Sequence, residues 1–242
     1  MGGTSPAALA ALAAISLLAG LAKGLTGFGG ALVMAPLFSF FVPPQQAALL
    51  IVLVHAATSL QGVRGWHAQV RWSRVLPFVL LALLSAQLVT HWAAGSDAAR
   101  MRRIIGACVL LATLPHLSGW RWQHGGRWSS TVLAGLASGA MTAFGGLGGP
   151  AAVCYFSGIA QGAVLRANLL GCFALLFCGV TMLLAAAHQL QAPHLVLSAL
   201  LVPAFAAGVR AGERLSPRLP PRLFDRLVCA LLLASGLLAL LV

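Results

Sequence analysis

Apolar residues run along this chain in blocks separated by short breaks at glycine, proline and arginine. The blocks fall at about 6–22, 30–42, 46–62, 75–93, 103–117, 129–143, 149–158, 162–187, 193–210 and 223–241. A helix needs roughly 20 apolar residues to cross the hydrocarbon core. Most blocks therefore predict membrane helices, while 30–42 and 149–158 are too short to span. The 242 residues leave room for about seven to ten membrane segments and none for a separate soluble domain. The expected fold is all-α: one polytopic transmembrane domain over residues 1–242.

Each short block follows a glycine-rich break, Gly24-Leu-Thr-Gly-Phe-Gly-Gly30 in the first half and Thr142-Ala-Phe-Gly-Gly-Leu-Gly-Gly-Pro150 in the second. Thr26-Gly-Phe-Gly-Gly30 matches Thr142-Ala-Phe-Gly-Gly146 at an offset of 116, which also relates Pro77 to Pro193. Gly27-Phe-Gly-Gly30 equally fits Gly146-Leu-Gly-Gly149, three residues further on. The pattern predicts two repeats, about 5–117 and 129–242, each carrying a broken or re-entrant helix. Counting five elements per half gives the two repeats opposite topologies. Broken helices at corresponding positions of two halves mark the substrate site in many transporters.

Composition narrows the class. Hydrophobic residues make up 60% of the chain and charged residues 7%, against about 45–50% and 25% in soluble domains. Three acids, Asp97, Glu213 and Asp225, stand against fifteen basic residues, fourteen of them arginine, for a net charge of +12. The arginines sit in the breaks and not on one amphipathic face, so they orient a membrane protein and do not predict a nucleic-acid partner. Three breaks should face the cytoplasm: the one with Arg64, Arg71 and Arg74, the one with Arg121 and Arg127, and the one with Arg210, Arg214, Arg218 and Arg222. Arg100, Arg102 and Arg103 depart from this pattern, with Asp97 beside them to offset part of their charge. Cys108, Cys154, Cys172, Cys178 and Cys229 lie in apolar blocks without CxxC or metal-type spacing and are expected to be small buried hydrophobes. The N-terminal block lacks a basic leader and is read as a retained first helix.

Irregular backbone at membrane depth is tolerated only inside protein or along a wet cavity. Glycine admits positive φ and a close approach to ligand. A helix starting after such a break also points N–H groups and a positive dipole end at it. The two breaks, Thr26 included, are therefore candidate anion sites; the alternative is that their glycines only let helices pack closely. His55, mid-block, could bond an anion or carry a proton, or be a neutral histidine bonded to a neighbouring helix carbonyl; Thr58 and Ser59 lie one turn below it. Arg166 offers a fixed fork of donors for an oxyanion, with Asn168 at i+2 and no acid nearby in sequence; the alternative is snorkelling to the interface. Gln45, Gln161, Ser138, Tyr155 and Ser157 are further lining candidates, or interhelical hydrogen-bonding residues.

These residues resemble the TauE/SafE family of sulfite and organosulfur exporters over nearly the whole chain. Gly27-Phe-Gly-Gly-Ala-Leu-Val-Met-Ala-Pro36, then Pro43-Pro44 and Ala47-Ala48, is similar to the family's first glycine cluster. Gly146-Leu-Gly-Gly-Pro-Ala-Ala-Val-Cys-Tyr155 resembles its GxGGPPxxxY pattern, and Leu165-Arg-Ala-Asn-Leu169 an FRATL-like segment. Ala151 stands where a second proline is usual, and Asn168 where threonine is; the larger polar group of Asn168 changes which anion fits. The resemblance implies a carrier of two related halves with motif positions Gly29, Gly30, Gly148, Gly149, Pro150, Tyr155 and Arg166. His55 lies outside that pattern.

The expected function is secondary transport of a small oxyanion, such as sulfite, thiosulfate or a sulfo-organic acid, out across a bacterial inner membrane. No GxxxxGK[ST] is present to bind ATP. Export could follow the membrane potential, about 2.3 kcal/mol per charge per 100 mV, or a proton gradient through His55. An enzyme is not expected, since GxSG, HExxH and a buried carboxylate pair are all missing, and no cofactor or metal is expected. The expected partners are the anionic substrate and the lipid bilayer, with a homodimer as a candidate assembly. The alternatives are a membrane subunit of a larger complex and an anion channel without coupled transport.

Overall fold

A computed structural model describes residues 5–93, 95, 97, 99–101, 103–108 and 127–215 of the protein. The remainder of block 103–117, block 223–241, and Arg102, Arg121, Arg218, Arg222, Asp225 and Cys229 lie outside the described residues. The described residues form helices and turns without a strand: α1 (Pro6–Thr26), α2 (Gly30–Phe38), α3 (Pro44–Thr58), α4 (Val63–Trp66) with a 3-10 turn (His67–Gln69), α5 (Trp72–Ala93), α6 (Trp128–Ala143), α7 (Gly149–Ser157), α8 (Gly162–Ala186) and α9 (Ala192–Leu215).

Local chemistry fixes the ends. Ser5 Oγ accepts the Ala8 N–H at 3.2 Å and Pro6 takes the first turn of α1, where its missing N–H costs nothing. Pro44 and Pro150 open α3 and α7 in the same way. Block 46–62 stops as a helix at Thr58, so His55 belongs to the last turn of α3 and not to its middle. Among the described residues α1, Trp72–Thr90, α8 and α9 are long and apolar enough to cross a membrane, and α3 with Val63–Gln69, bent by 72°, makes a fifth. On α5, Leu76, Leu80, Leu84 and Leu88 form an exposed stripe at four-residue spacing, with Leu80 67% exposed. Such a stripe is what lipid, not water, covers. The protein is an all-α, multi-pass membrane protein.

Two tight, parallel helix pairs organise the bundle: α1 with α9, and α5 with α6. Gly20 and Gly24 of α1 meet Gly208 and Gly212 of α9 so closely that a Cβ on Gly20 would overlap the Phe205 carbonyl oxygen, and one on Gly212 that of Leu21. In the other pair a Cβ on Gly139 would overlap the Ala82 carbonyl oxygen, and Ser85 Oγ donates to Leu136 O at 2.8 Å. Small residues four apart permit this approach, and dispersion, not hydrophobic burial, rewards it in lipid.

One core gathers apolar residues of α1, α2, α3 and α9; the other gathers those of α5, α6, α7 and α8 with Val52 of α3. Each half thus contributes its last described long helix to the other half's core. The pairings are also matched under exchange of halves: α1 with α2 as α6 with α7, α2 with α3 as α7 with α8, and α3 with α9 as α8 with α5.

The two breaks share one local geometry at Gly27 and Gly146. Gly27 (φ 83°) donates its N–H to Lys23 O at 2.7 Å, and Gly146 (φ 74°) donates to Thr142 O at 2.8 Å. Both are left-handed closures that glycine adopts without a Cβ clash. Three residues later Gly30 and Gly149 each begin a nine-residue helix. Gly27 and Gly146 thus close their helices alike, whereas the N-caps that follow, Gly29 (φ 90°) and Gly148 (φ −64°), differ. Pro77 lies in the second turn of α5, and Pro193 is the second residue of α9.

Candidate functional site

The first break is built by its own side chains. Thr26 Oγ1 donates to Ala22 O at 2.8 Å and accepts the Phe28 N–H at 3.1 Å, turning the chain out of α1. Gly29, at φ 90°, is the N-cap of α2, and Gly30 is buried against its neighbours. A Cβ on Gly30 would stand 3.0 Å from His55 Nε2, 3.1 Å from the Phe205 ring and 3.2 Å from Ala19 O.

His55 occupies the crossing point. It is buried, its Nδ1 lies 2.9 Å from Ile51 O one turn back on its own helix, and its ring sits 4.7 Å from that of Phe177 and 4.8 Å from that of Phe205. The carbonyl that holds it belongs to α3 itself and not to a neighbouring helix. The second break meets the same cluster: a Cβ on Gly146 would lie 3.0 Å from Phe177, 3.2 Å from Ile51 and 3.3 Å from Ala31. The two breaks, His55 and two phenyl rings form a closed central plug.

On one side of the plug lies a small cavity of about 20 Å³, lined by Lys23, Thr58, Ser59, Gln61, Arg166 and Glu213 together with apolar side chains. It has room for about one water-sized species. Lys23 is buried, 8% exposed, and its Nζ lies 5.4 Å from the centre of the Phe205 ring, whose edge also contacts the His55 cluster. Arg166 Nη2 donates to Gly24 O at 3.2 Å and pairs with Glu213 Oε1 at 3.4 Å. Arg166 is therefore neutralised across 47 positions of sequence by an acid of α9, and its Cγ lies 3.2 Å from where a Gly27 Cβ would be. Arg166 Nε is buried without an acceptor. The ion pair is 39% and 43% exposed at its two side chains, and pairs so placed contribute only about 0.2–1 kcal/mol.

Lys23 is the residue that sequence reasoning missed. It is the single lysine among fifteen basic residues, and it closes the first apolar block, where a cation reads as the end of a helix. Its signal was the helix end itself: the residue four before a left-handed glycine is still inside α1.

A second cavity, of about 110 Å³, lies on the opposite side of the plug and is lined by Gln45, Val52, Thr90, Met101, Thr142, Val180 and Gln189 among others. Early α3 and late α8 line this cavity, while late α3 and early α8 line the other. The two helices thus run antiparallel past the plug.

The remaining predicted positions are structural neighbours. Tyr155 is fully buried, shares a 2.7 Å hydrogen bond with Thr131 Oγ1 and stacks on Phe78 with centroids 5.3 Å apart. Asn168 Oδ1 accepts the Arg71 N–H at 2.8 Å, so it fastens the entry to α5 and faces away from the Arg166 cavity. Its Nδ2 is buried without a partner. Gly148 caps α7, and a Cβ there would collide with Thr142 Oγ1 and Ser138 O; Ser138 Oγ donates to Gly148 O at 2.9 Å. Gly149 and Pro150 are buried at the start of α7, with Phe28 3.6 Å from a Gly149 Cβ. Ser157 Oγ donates to Cys154 O within α7, and Gln161 is exposed at the N-cap of α8, outside both cavities. Of these candidates, Thr58, Ser59 and Arg166 share one cavity, His55 and Gly30 the plug, and Gln45 the other cavity.

Charge is asymmetric between the two ends. Arg71, whose Nη1 donates to Ile159 O at 2.9 Å, joins Arg166 and Arg214 at the Lys23 end. Arg100 and Arg103 lie at the end holding Thr90 and Met101, where the Arg100 N–H bonds Asp97 Oδ1 at 2.7 Å and holds that carboxyl below the usual carboxylate range.

The family model described as sulfite exporter TauE/SafE matches residues 12–239. Comparison with curated proteins and with solved structures returned no match. The matched span contains both breaks, the plug and both cavities, and the chain belongs to the sulfite exporter TauE/SafE family.

Proposed function

We propose that the protein is a secondary transporter that exports a small oxyanion, sulfite, thiosulfate or a sulfo-organic acid, across a bacterial inner membrane. The carrying observation is the cationic cavity: Lys23 and Arg166 converge at one side of a sealed plug, with a second cavity beyond it. A channel needs one continuous lining, whereas two cavities separated by packed rings are the form of a carrier caught closed at its centre. The buried Arg166 Nε is a donor awaiting an acceptor, and charge-assisted bonds to an oxyanion are the strong kind.

Family membership supports transport over catalysis. The antiparallel run of α3 past α8, and the matched pairings of the halves, support two repeats of opposite topology, about 5–117 and 129–242, related by an axis through the plug. The arginine-rich Lys23 end would then be cytoplasmic. Export follows the membrane potential, and a proton gradient would act through His55.

The deciding experiment is a competition panel in proteoliposomes: sulfite, thiosulfate, sulfoacetate, carboxylates and chloride, with and without a pH gradient. Inhibition of sulfite flux by the sulfur oxyanions and not by chloride is expected. Failure of every oxyanion to move would overturn the reading, and flux insensitive to the pH gradient would leave the membrane potential as the driving force.

A further inference from the structure

Lys23 and Arg166 present two cations to a cavity that has one acid on its wall, Glu213. Glu213 and Asp97 are the acids among the described residues, and Asp97 lies outside the bundle beside Arg100. A buried ammonium in an apolar helix is costly unless an anion compensates it, and Glu213 lines the same cavity as Lys23. The same carboxylate holds Arg166 at 3.4 Å. Glu213 is therefore the carboxylate that shares the cavity wall with both cations and already occupies Arg166.

We propose that Glu213 is the resident counter-anion of the Lys23–Arg166 site: its carboxylate neutralises both cations in the empty carrier and is displaced by the incoming oxyanion. The proposal rests on the anion-transport reading above. Three features fit displacement and not a fixed strut. The pair is two-fifths exposed, so it is weak and open to exchange. Glu213 lies in the last turns of α9, at the mouth of the cavity, so its side chain can swing to water. Arg210, exposed and one turn back on the same helix, offers the displaced carboxylate a second partner at i−3. The site keeps its charge balance in both states, since one anion replaces another and neither cation is left bare beside Phe205. A substrate must then out-compete a tethered carboxylate, which sets a threshold affinity and rejects weakly bonding monovalent anions.

The test measures sulfite binding to detergent-purified wild type and Glu213→Gln by calorimetry, alongside sulfite flux in proteoliposomes. Removal of the internal competitor should tighten sulfite binding about two- to fivefold, with Lys23→Gln weakening it. Unchanged or weaker binding by a folded Glu213→Gln overturns the proposal and makes the pair a structural strut. On wild type, a water-soluble carbodiimide with an amine nucleophile should modify Glu213 faster when sulfite is present. Sulfite without effect on that labelling rate, or protection by it, equally overturns the proposal, whether or not the Gln variant folds. Wild type that binds sulfite but moves none sinks the transport reading alone; wild type and variant that both fail to bind sink the counter-anion.

Discussion

Arg166 of α8 and Glu213 of α9 meet at 3.4 Å, while the same guanidinium reaches Gly24 O at 3.2 Å. One side chain thereby ties the N-terminal end of α8 to the C-terminal ends of α1 and α9 at the mouth of the cationic cavity. Its partners are half-exposed or backbone, so the fold does not depend on them heavily, whereas an oxyanion in the cavity would depend on the fork directly.

Arg166→Ala should accordingly abolish oxyanion flux and lower stability by no more than about 1 kcal/mol. Arg166→Lys should retain weak flux, because one charge persists without the fork. Proteoliposome flux together with a melting curve separates the two effects. Full transport by Arg166→Ala would remove the residue from the substrate path.

His55 reports on coupling. Its Nδ1 is committed to Ile51 O and its ring is wedged between Phe177 and Phe205. If it carries the proton, His55→Gln should keep an amide in the same space and flatten the pH profile of flux. An unchanged profile would assign coupling elsewhere, with the membrane potential sufficient on its own.

Glycine at the helix pairs is a steric requirement. Gly139→Val should destabilise the protein by about 1–3 kcal/mol or more, because a Cβ there meets the Ala82 carbonyl and not a movable side chain. Gly65→Ala, at a site with nothing within 4 Å, should be neutral. Thermal unfolding in detergent checks both, and equal melting temperatures would contradict the packing.

Tyr155 separates motif from substrate contact. Loss of its hydroxyl in Tyr155→Phe breaks the 2.7 Å bond to Thr131 and should cost about 1 kcal/mol. The apparent KM for sulfite should not change, since the ring is sealed between α6, α7 and Phe78. A large rise in KM would place that hydroxyl on the transport route.

Bulk hydrophobicity and the glycine breaks were sufficient to read helices, membrane and a duplicated pattern from the sequence, because each depends on local composition. The pairing of Arg166 and the position of Asn168 could not be read that way. Their partners, Glu213 and the Arg71 amide, lie 47 and 97 positions away, and no local rule joins them.

The sequence by itself determined the class of the protein: apolar blocks of spanning length, two glycine-rich breaks, and basic residues gathered near the ends of the blocks. Tertiary structure decided that Gly27 and Gly146 close their helices alike, that α9 joins the core of α1, α2 and α3 and α5 that of α6, α7 and α8, and that the lone lysine is buried and not an end marker. The physical reason is range. Hydropathy, caps and positive φ are fixed within a few residues, whereas the meeting of Lys23, Arg166 and Glu213 is set by which helices the small glycine faces allow to touch.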